Sequence, residues 1–486
     1  MRARIKYDVM SQDELDYFKG RIEDLLEQRG IRMNHPALME ALEKAGCIIK
    51  KKQVLFPKEV IHRALEAVPK KFTLYSPSGE YNMEYPHPKG GFYTRTCTGA
   101  PNYRTADGQV HYAKLSEVEE WYQLTNEMEH VDFVTLPSTS GEEVPPAAVD
   151  VYTLEQALKL SKKHIWIQPY GTENVKYLID MCAEAAGGIE ALREKPICSF
   201  IACSVPVLSL KYMDAEILYQ CAMAGIPVQP CSLPTAGANA PVTGQGVSFV
   251  ACAEVLAMIV ILELLCPGLP VIATPLLFSL DMKTTYTLQS SPEITTGRLL
   301  CMQLFEQGYG IPAHSYGTGT DSLVIDEQNL AERATLMQMM AMSDASVLGG
   351  AGQLETAKTI SPVQLIIDNE LFGIAKELRF GLEMNDETLD YEELLQGEDG
   401  SGFLMSMHTF THFKDIYRPE LFNRDGYQEN LPNGTKTFLE KAMERYEEIR
   451  KKPIEVQLSE EKLEKIHQIV ENATSNLQPE VKGKRK

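Results

Sequence analysis

No stretch of this 486-residue chain approaches the roughly 20 consecutive apolar positions that a membrane span requires. The most apolar segment, 247-VSFVACAEVLAMIVILELLC, is interrupted by Glu254 and Glu263, so it is expected to be a buried helix. The amino-terminal MRARIKYDVMSQDELDYF has no apolar h-region, and no secretory signal is expected from it. The ten cysteines are scattered without CxxC pairs or His–Cys clusters, which excludes a zinc ribbon and predicts buried thiols in a reducing cytoplasm. Metal-ligand spacing is missing too, because no HxxxH or HxH pair falls in the central region. The nearest approach is His408 and His412, on one helix face but without a third ligand. Neither is there a P-loop, since 349-GGAGQLETA lacks the Lys-Ser/Thr pair. Basic residues are the minority, 47 against 67 acidic, for a net charge of −20. That balance argues against a nucleic-acid surface and mildly favours a cationic ligand.

What is present is a rhythm of short apolar, β-branched runs, each followed by a helical stretch. The runs are 132-DFVTLPS, 164-HIWIQPY, 196-PICSFIACS, 225-GIPVQPCS, 269-LPVIATPLLF, 311-IPAHSYGTGTD, 345-ASVLGGAG and 363-VQLIIDNE. Such alternation predicts βαβ units, and eight of them predict an α/β fold of the (β/α)8 TIM-barrel type. The barrel is expected over residues 126–384. Residues 1–125 are expected to form an extension of helices (12-QDELDYFKGRIEDLLEQRG, 36-PALMEALEKAG) and a hairpin in 92-FYTRTCTGAPNYRTADGQVHYA around Asp107-Gly108. Ser116 with Glu119 reads as a capping box for the helix leading into the barrel. Residues 385–486 are expected to carry amphipathic helices over 436-KTFLEKAMERYEEIRKK and 459-SEEKLEKIHQIVENA, then a disordered tail, 479-PEVKGKRK.

A barrel places its chemistry at the C-terminal ends of the strands. Those ends read Gln168-Pro169-Tyr170, Ser204, Cys231-Ser232, Phe278, Ser315 through Asp321, 349-GGAG and Asp368-Asn369-Glu370. Glycines at 317, 319, 349, 350 and 352 allow close backbone approach to something bulky and flat, or tight turns beneath packed helices. Asp326 reads as the cap of the helix after the sixth run.

The strings 237-GANAPVTGQG with Ala253-Glu254, 318-TGTDSLVIDEQ, 368-DNE, 381-GLEMNDETL and 400-GSGFLMSMHTFTHF resemble the trimethylamine methyltransferase (MttB) superfamily, in order over residues 5–470. The resemblance implies a TIM-barrel methyltransferase passing a methyl group from a methylated amine to the cobalamin of a separate corrinoid protein. It implies no tightly bound cofactor of its own. Trimethylamine members carry pyrrolysine; this chain has only ordinary residues and looks like the pyrrolysine-lacking branch, whose substrates are glycine betaine, proline betaine, carnitine or γ-butyrobetaine.

A quaternary ammonium is held by aromatic faces, for which the candidates are Tyr170, Phe278, Tyr316 and Phe410, with Tyr286 in a loop and Phe92, Tyr93 and Tyr103 in the hairpin. A carboxylate calls for a donor such as Arg95 or His408. Gly317, Gly319, Gly349, Gly350, Asp321 and Glu370 are expected to face the corrin, Asp321 having the alternative of bracing its loop. Orientation and desolvation would suffice, so no catalytic acid, base or metal is expected. Partners are then the quaternary amine and the corrinoid protein, with neither nucleic acid nor membrane, and a homo-oligomer is compatible. Two alternatives stand beside this reading: a methyltetrahydrofolate:corrinoid methyltransferase, with Asp368 and Asn369 in a pterin pocket, and a non-catalytic betaine-binding barrel.

Overall fold

In a computed structural model, which describes residues 2–137, 142–397, 402–424 and 435–477, eight parallel strands close into a ring. The barrel strands are β1 Tyr93–Thr96, β2 Phe133–Thr135, β3 His164–Ile167, β4 Cys198–Val205, β5 Val228–Ser232, β6 Thr274–Pro275, β7 His314–Tyr316 and β8 Val347–Ala351. Ladders join β1 to β2, β2 to β3, β3 to β4, β4 to β5 and β5 to β6. A single bridge, Ala273 to Ala313, links β6 to β7. Ladders from β7 to β8 and from β8 to β1 complete the closure.

Each strand is followed by a helix: α1 Leu115–Asn126, α2 Val149–Leu160, α3 Asn174–Ala186, α4 Tyr212–Ala224, α5 Gly244–Leu265, α6 Pro292–Gln303, α7 Glu327–Ala341 and α8 Pro362–Phe380. The barrel is as expected, but its frame is shifted by one unit. The run 363-VQLIIDNE is not a strand; Ser361 caps it as a helix, accepting from the Gln364 amide, and Pro362 sits where an orphan N–H would be. The first strand is instead Tyr93–Thr96, inside the segment expected to precede the barrel. Its polar residues read poorly as a strand because their partners, at and just before the neighbouring β2, are distant in sequence: the Thr94 amide donates to Asp132 at 2.7 Å, and Thr96 meets Thr135 at 3.1 Å. The hairpin is real but shorter, pairing Asn102–Arg104 with Val110–Tyr112 around Gly108 at φ 91°.

The apolar segment forms α5, buried on nearly all sides between α6, α4 and the amino-terminal helices, with both of its glutamates buried. It passes a length-and-composition test for a membrane span, yet 89% of that window is inside the protein. Helices Gln12–Gln28 and Pro36–Lys44 form as expected. Asp326 caps α7, accepting from the Asn329 amide at 2.9 Å. Helix α1 begins earlier than expected, with Lys114 rather than Ser116 at its N-cap and its amide donating to Glu117. Helices Phe438–Ile449 and Glu460–Asn476 pack back onto α8 and α3 with buried faces. The tail 479-PEVKGKRK lies outside the described residues. All ten cysteines are free thiols.

Candidate active site

The strand ends bring one group of aromatic residues together. Phe278, just past β6, meets Tyr316 at the end of β7 edge-on, with ring centroids 5.9 Å apart. Tyr170, after β3, lies at the same end of the barrel, its hydroxyl near Gly99 and the residue as a whole 41% exposed. Burial raises both tyrosine hydroxyls above their ordinary range, and each also senses the Cys97 thiol between them.

The Tyr170 turn is held from behind. Asp150 on α2 accepts from the Tyr170 amide at 2.7 Å and from Asn174 at 2.6 Å. Burial lifts Asp150 from 3.8 to about 6. The native state therefore keeps a proton that the unfolded chain has lost between about pH 4 and pH 6, so stability falls as pH rises through that window. For Asp150 the fall is expected to reach ~2–3 kcal/mol. In urea unfolding titrations from pH 4 to 7, Asp150→Asn should flatten the profile by that amount, and an unchanged slope would contradict the assignment.

Beneath the aromatic wall lies a positively charged floor. Arg95 on β1 is fully buried; Nε donates to His314 Nε2 at 2.9 Å, and the guanidinium lies 4.5 Å from the Trp166 ring. Its Nη2 has no acceptor. His314 is kept neutral, its pKa driven well below the usual value by burial and by Arg95. Arg298 on α6 donates to the carbonyls of Leu277 and Gln289 at 2.6 and 2.8 Å, and burial pulls it down to about 10. Both guanidiniums sit 5.7 Å from the Tyr316 ring centroid, and among the described residues neither has a carboxylate within ion-pair distance. Arg298 senses the Asp321 carboxylate only through space, and a buried cation without a close counter-ion is costly unless an anion joins it.

A second brace crosses the mouth near β4 and β5. Glu254 on α5 accepts from Ser204 and Ser232 at 2.5 and 2.6 Å and from the Leu208 amide at 2.5 Å, tying the loop after β4 to α5. The signal for Glu254 was its charge inside an otherwise apolar helix. Asp150, Arg298 and His314 were not singled out from the sequence, because their roles depend on how helix registers meet the strands.

The other expected residues lie elsewhere. Phe92 and Tyr93 are at the opposite end of β1; Tyr93 exchanges hydrogen bonds with the Glu84 backbone and packs on Tyr85 and His87. Tyr103 is buried on the hairpin, its hydroxyl donating to Glu120. Tyr286 is on the rim, in the loop after β6, 66% exposed with Lys358 over its ring. His408 and Phe410 lie on the short helix Met407–His412, none of whose residues is buried. No group of three metal-ligating side chains occurs among the described residues.

The glycines are packing devices. A Cβ on Gly349 would fall 2.6 Å from the Arg95 guanidinium and 2.7 Å from His314, so this glycine makes room for the floor. Gly350, at φ +105°, lies against Gln353 and Thr318, while Gly317 and Gly319 lie against Leu348 and Leu336. All four are buried and none faces outward. Asp321 braces loops, accepting from the amides of Gln289 and Ser290 and from Thr356. With Asp368, Asn369 and Glu370 on α8, none ends a strand. Asp368 pairs with Arg333, Asn369 accepts from the His130 amide, and Glu370 accepts from the Leu421 amide.

A TIM barrel that gathers aromatic side chains above buried arginines at the C-terminal ends of its strands carries its candidate site at the end where barrel enzymes place theirs. The trimethylamine methyltransferase (MTTB) family profile matches residues 1–477, and the chain belongs to that family and is a methyltransferase. It is 28% identical to the trimethylamine methyltransferase MttB of Methanosarcina barkeri (strain Fusaro / DSM 804) over 457 residues, covering 92% of this chain and 91% of that protein. It is 25% identical to the glycine betaine methyltransferase of Desulfitobacterium hafniense (strain Y51) over 428 residues, covering 87% and 88%. Among solved structures, the monomethylamine methyltransferase MtmB of Methanosarcina barkeri aligns with a TM-score of 0.49 at 12% identity, over 94% of this chain and 88% of that one.

Proposed function

We propose that this chain takes a methyl group from a betaine-type quaternary amine and passes it to the corrinoid of a separate partner protein. The observation that carries the reading is the pair of buried guanidiniums, Arg95 and Arg298, 5.7 Å from the Tyr316 ring and neither in ion-pair contact with a carboxylate among the described residues. Their field draws the carboxylate of a zwitterion toward the floor and turns its ammonium outward, toward Tyr170 and Phe278. A plain methylamine has no group to answer that charge. The kinship with a glycine betaine methyltransferase supports the same choice.

The rim suits a flat macrocycle. Val207, Val242, Met282, Tyr286 and Leu323, from the loops after β4, β5, β6 and β7, are all 40–70% exposed at the mouth. When docked there, the partner's corrinoid supplies the Co(I) nucleophile for direct displacement at the methyl carbon. The chain's own residues bind the cation, aim one methyl outward and exclude water. A quaternary nitrogen leaves as a neutral tertiary amine, so no protein group has to donate a proton. The folate alternative loses its support, since Asp368 and Asn369 are engaged on α8.

The test follows Co(I) loss spectrally with the purified chain, Co(I) cobalamin and separate substrates. Glycine betaine, proline betaine, carnitine or γ-butyrobetaine should react. Reaction with trimethylamine or methyltetrahydrofolate alone would sink the proposal, and binding of a betaine without methyl transfer would indicate the non-catalytic barrel.

A further inference from the structure

The turn that follows β4 has a buried foot and an exposed tip. Beyond Val205 the chain reverses, and Ser209–Leu210 runs back antiparallel against Ser204 and Val205. Leu208 stands at φ +53°, in the left-handed region that a residue other than glycine enters only when its surroundings hold it there. Its side chain is buried, and both of its backbone polar groups are taken. The amide donates to Glu254 at 2.5 Å, and the carbonyl accepts from the Arg32 amide at 2.9 Å. Val207, one residue before, is 40% exposed.

Glu254 grips this turn from behind the barrel wall. Cys203 and Cys231 are partners in register on β4 and β5. Arg95 and Tyr316 both sense the Cys231 thiol, which places it inside the barrel. The serines that follow these cysteines point the opposite way, toward α5, by the alternation of a strand. There the Glu254 carboxylate collects the Ser204 and Ser232 hydroxyls together with the Leu208 amide. All three donors are neutral, and burying a carboxylate among neutral donors is unfavourable unless every bond is made. Arg95, Tyr170, Phe278 and Tyr316 stand on or after β1, β3, β6 and β7, so the betaine contacts do not hang from β4 and β5.

We propose, on the corrinoid reading of the rim, that Glu254 is a positioning residue for the methyl acceptor: by fastening the 205–209 turn to the ends of β4 and β5, it sets Val207 against the edge of the corrin ring. Glu254 itself never touches the corrin. A turn held in place meets the macrocycle already ordered, whereas a loose one has to be ordered on docking, which weakens the acceptor and leaves the amine pocket as it was.

Calorimetric binding of hydroxocobalamin to the full chain reads the acceptor side without methyl transfer. Glu254→Leu keeps the volume but removes the acceptor atoms, and should raise the dissociation constant about tenfold. Glu254→Gln should stay within about threefold, since its amide oxygen can take the Leu208 N–H while its NH2 donates to the serine oxygens. Val207→Asp is a surface change that leaves the core intact, so it decides the matter even where Glu254→Leu fails to fold; it should weaken binding about tenfold. Amide hydrogen exchange gives the signature of positioning: Leu208 should exchange about tenfold faster in Glu254→Leu, with α5 as protected as in the wild type, and at the wild-type rate in Val207→Asp. In turnover, the KM for Co(I) cobalamin should follow these constants while the betaine KM stays within about twofold. Normal hydroxocobalamin binding by Val207→Asp overturns the proposal, as does a Glu254→Leu chain whose turn is loosened but which binds normally. A betaine KM that rises as much as the cobalamin KM overturns it too, because Glu254 would then only support the fold, and so does a wild-type chain that binds no cobalamin. If no betaine gives up a methyl group while cobalamin binding responds to the variants as described, the substrate reading fails and the role of Glu254 stands.

Discussion

Replacing Arg333 by methionine should lower stability by about 3–5 kcal/mol, among the largest effects expected of any single change in this chain. Arg333 on α7 and Asp368 on α8 are both fully buried, and Nη1 donates to both carboxylate oxygens at 2.8 Å. The carboxylate also accepts from the Gly352 amide at 2.7 Å and from Gln364 at 3.1 Å. The other end of the guanidinium donates to the Gln353 carbonyl. Burial lifts Asp368 to about 6 while Arg333 pulls the other way, so at pH 8 the carboxylate is ionised. Removing the cation leaves that charge in the interior with neutral donors only. The double change Arg333→Met with Asp368→Leu removes both charges and should recover most of the loss, because a buried pair is often worth little more than well-packed apolar side chains. Urea unfolding at pH 8 reads both. A single variant that loses under ~1 kcal/mol, or a double variant as weak as the single, would show that the pair does not carry this weight.

The pair also explains why the last loop sits where it does. Gly352 and Gln353 follow β8 directly, and Gln353 joins the neighbouring loops, meeting Gln289 at 3.2 Å and the Thr318 carbonyl. The α7–α8 ion pair thus fixes the loop that closes one side of the site, and an Arg333 variant should lose activity along with stability.

Much of this was legible in the sequence, and the failures have a common cause. The alternation of apolar runs and helices revealed a barrel because each βα unit must bury one strand and one helix face. The frame slipped at both ends. Tyr93–Thr96 is a strand whose inward side chain is an arginine bonded to a histidine 219 residues away, and no local pattern announces that. At the other end, 363-VQLIIDNE is apolar because α8 is buried on most sides, and a short apolar run does not by itself separate strand from helix. One slipped unit changed where residues belong: Phe92 and Tyr93 from the hairpin to the base of the first barrel strand, and Asp368, Asn369 and Glu370 from strand end to helix. Tyr170, Phe278 and Tyr316 stand at the C-terminal end of the barrel because the strands they follow or close were assigned correctly. The groups that brace them come from helices, and their register is decided by packing.

Tyr170→Ala tests the site most directly, because the residue is 41% exposed and lies outside the buried core. A desolvated aromatic contact to a quaternary ammonium is worth about 1–2 kcal/mol. Its removal should raise the KM for the betaine that proves to be the substrate by roughly 5–30-fold. In the proposed binding mode the same ring holds the cation in ground and transition states, so kcat should change little. Tyr170→Phe keeps the ring face and should stay within about twofold of wild type, since the contact is made by the face rather than the hydroxyl. A charge-specific readout separates this from simple packing. If glycine betaine is the substrate, 3,3-dimethylbutyrate has the same shape with a neutral carbon in place of nitrogen. Its inhibition constant should rise much less in Tyr170→Ala than the betaine KM does. Equal rises would make Tyr170 a wall and not a cation contact, and an unchanged KM would put the ammonium on the other side of the mouth, against Phe278.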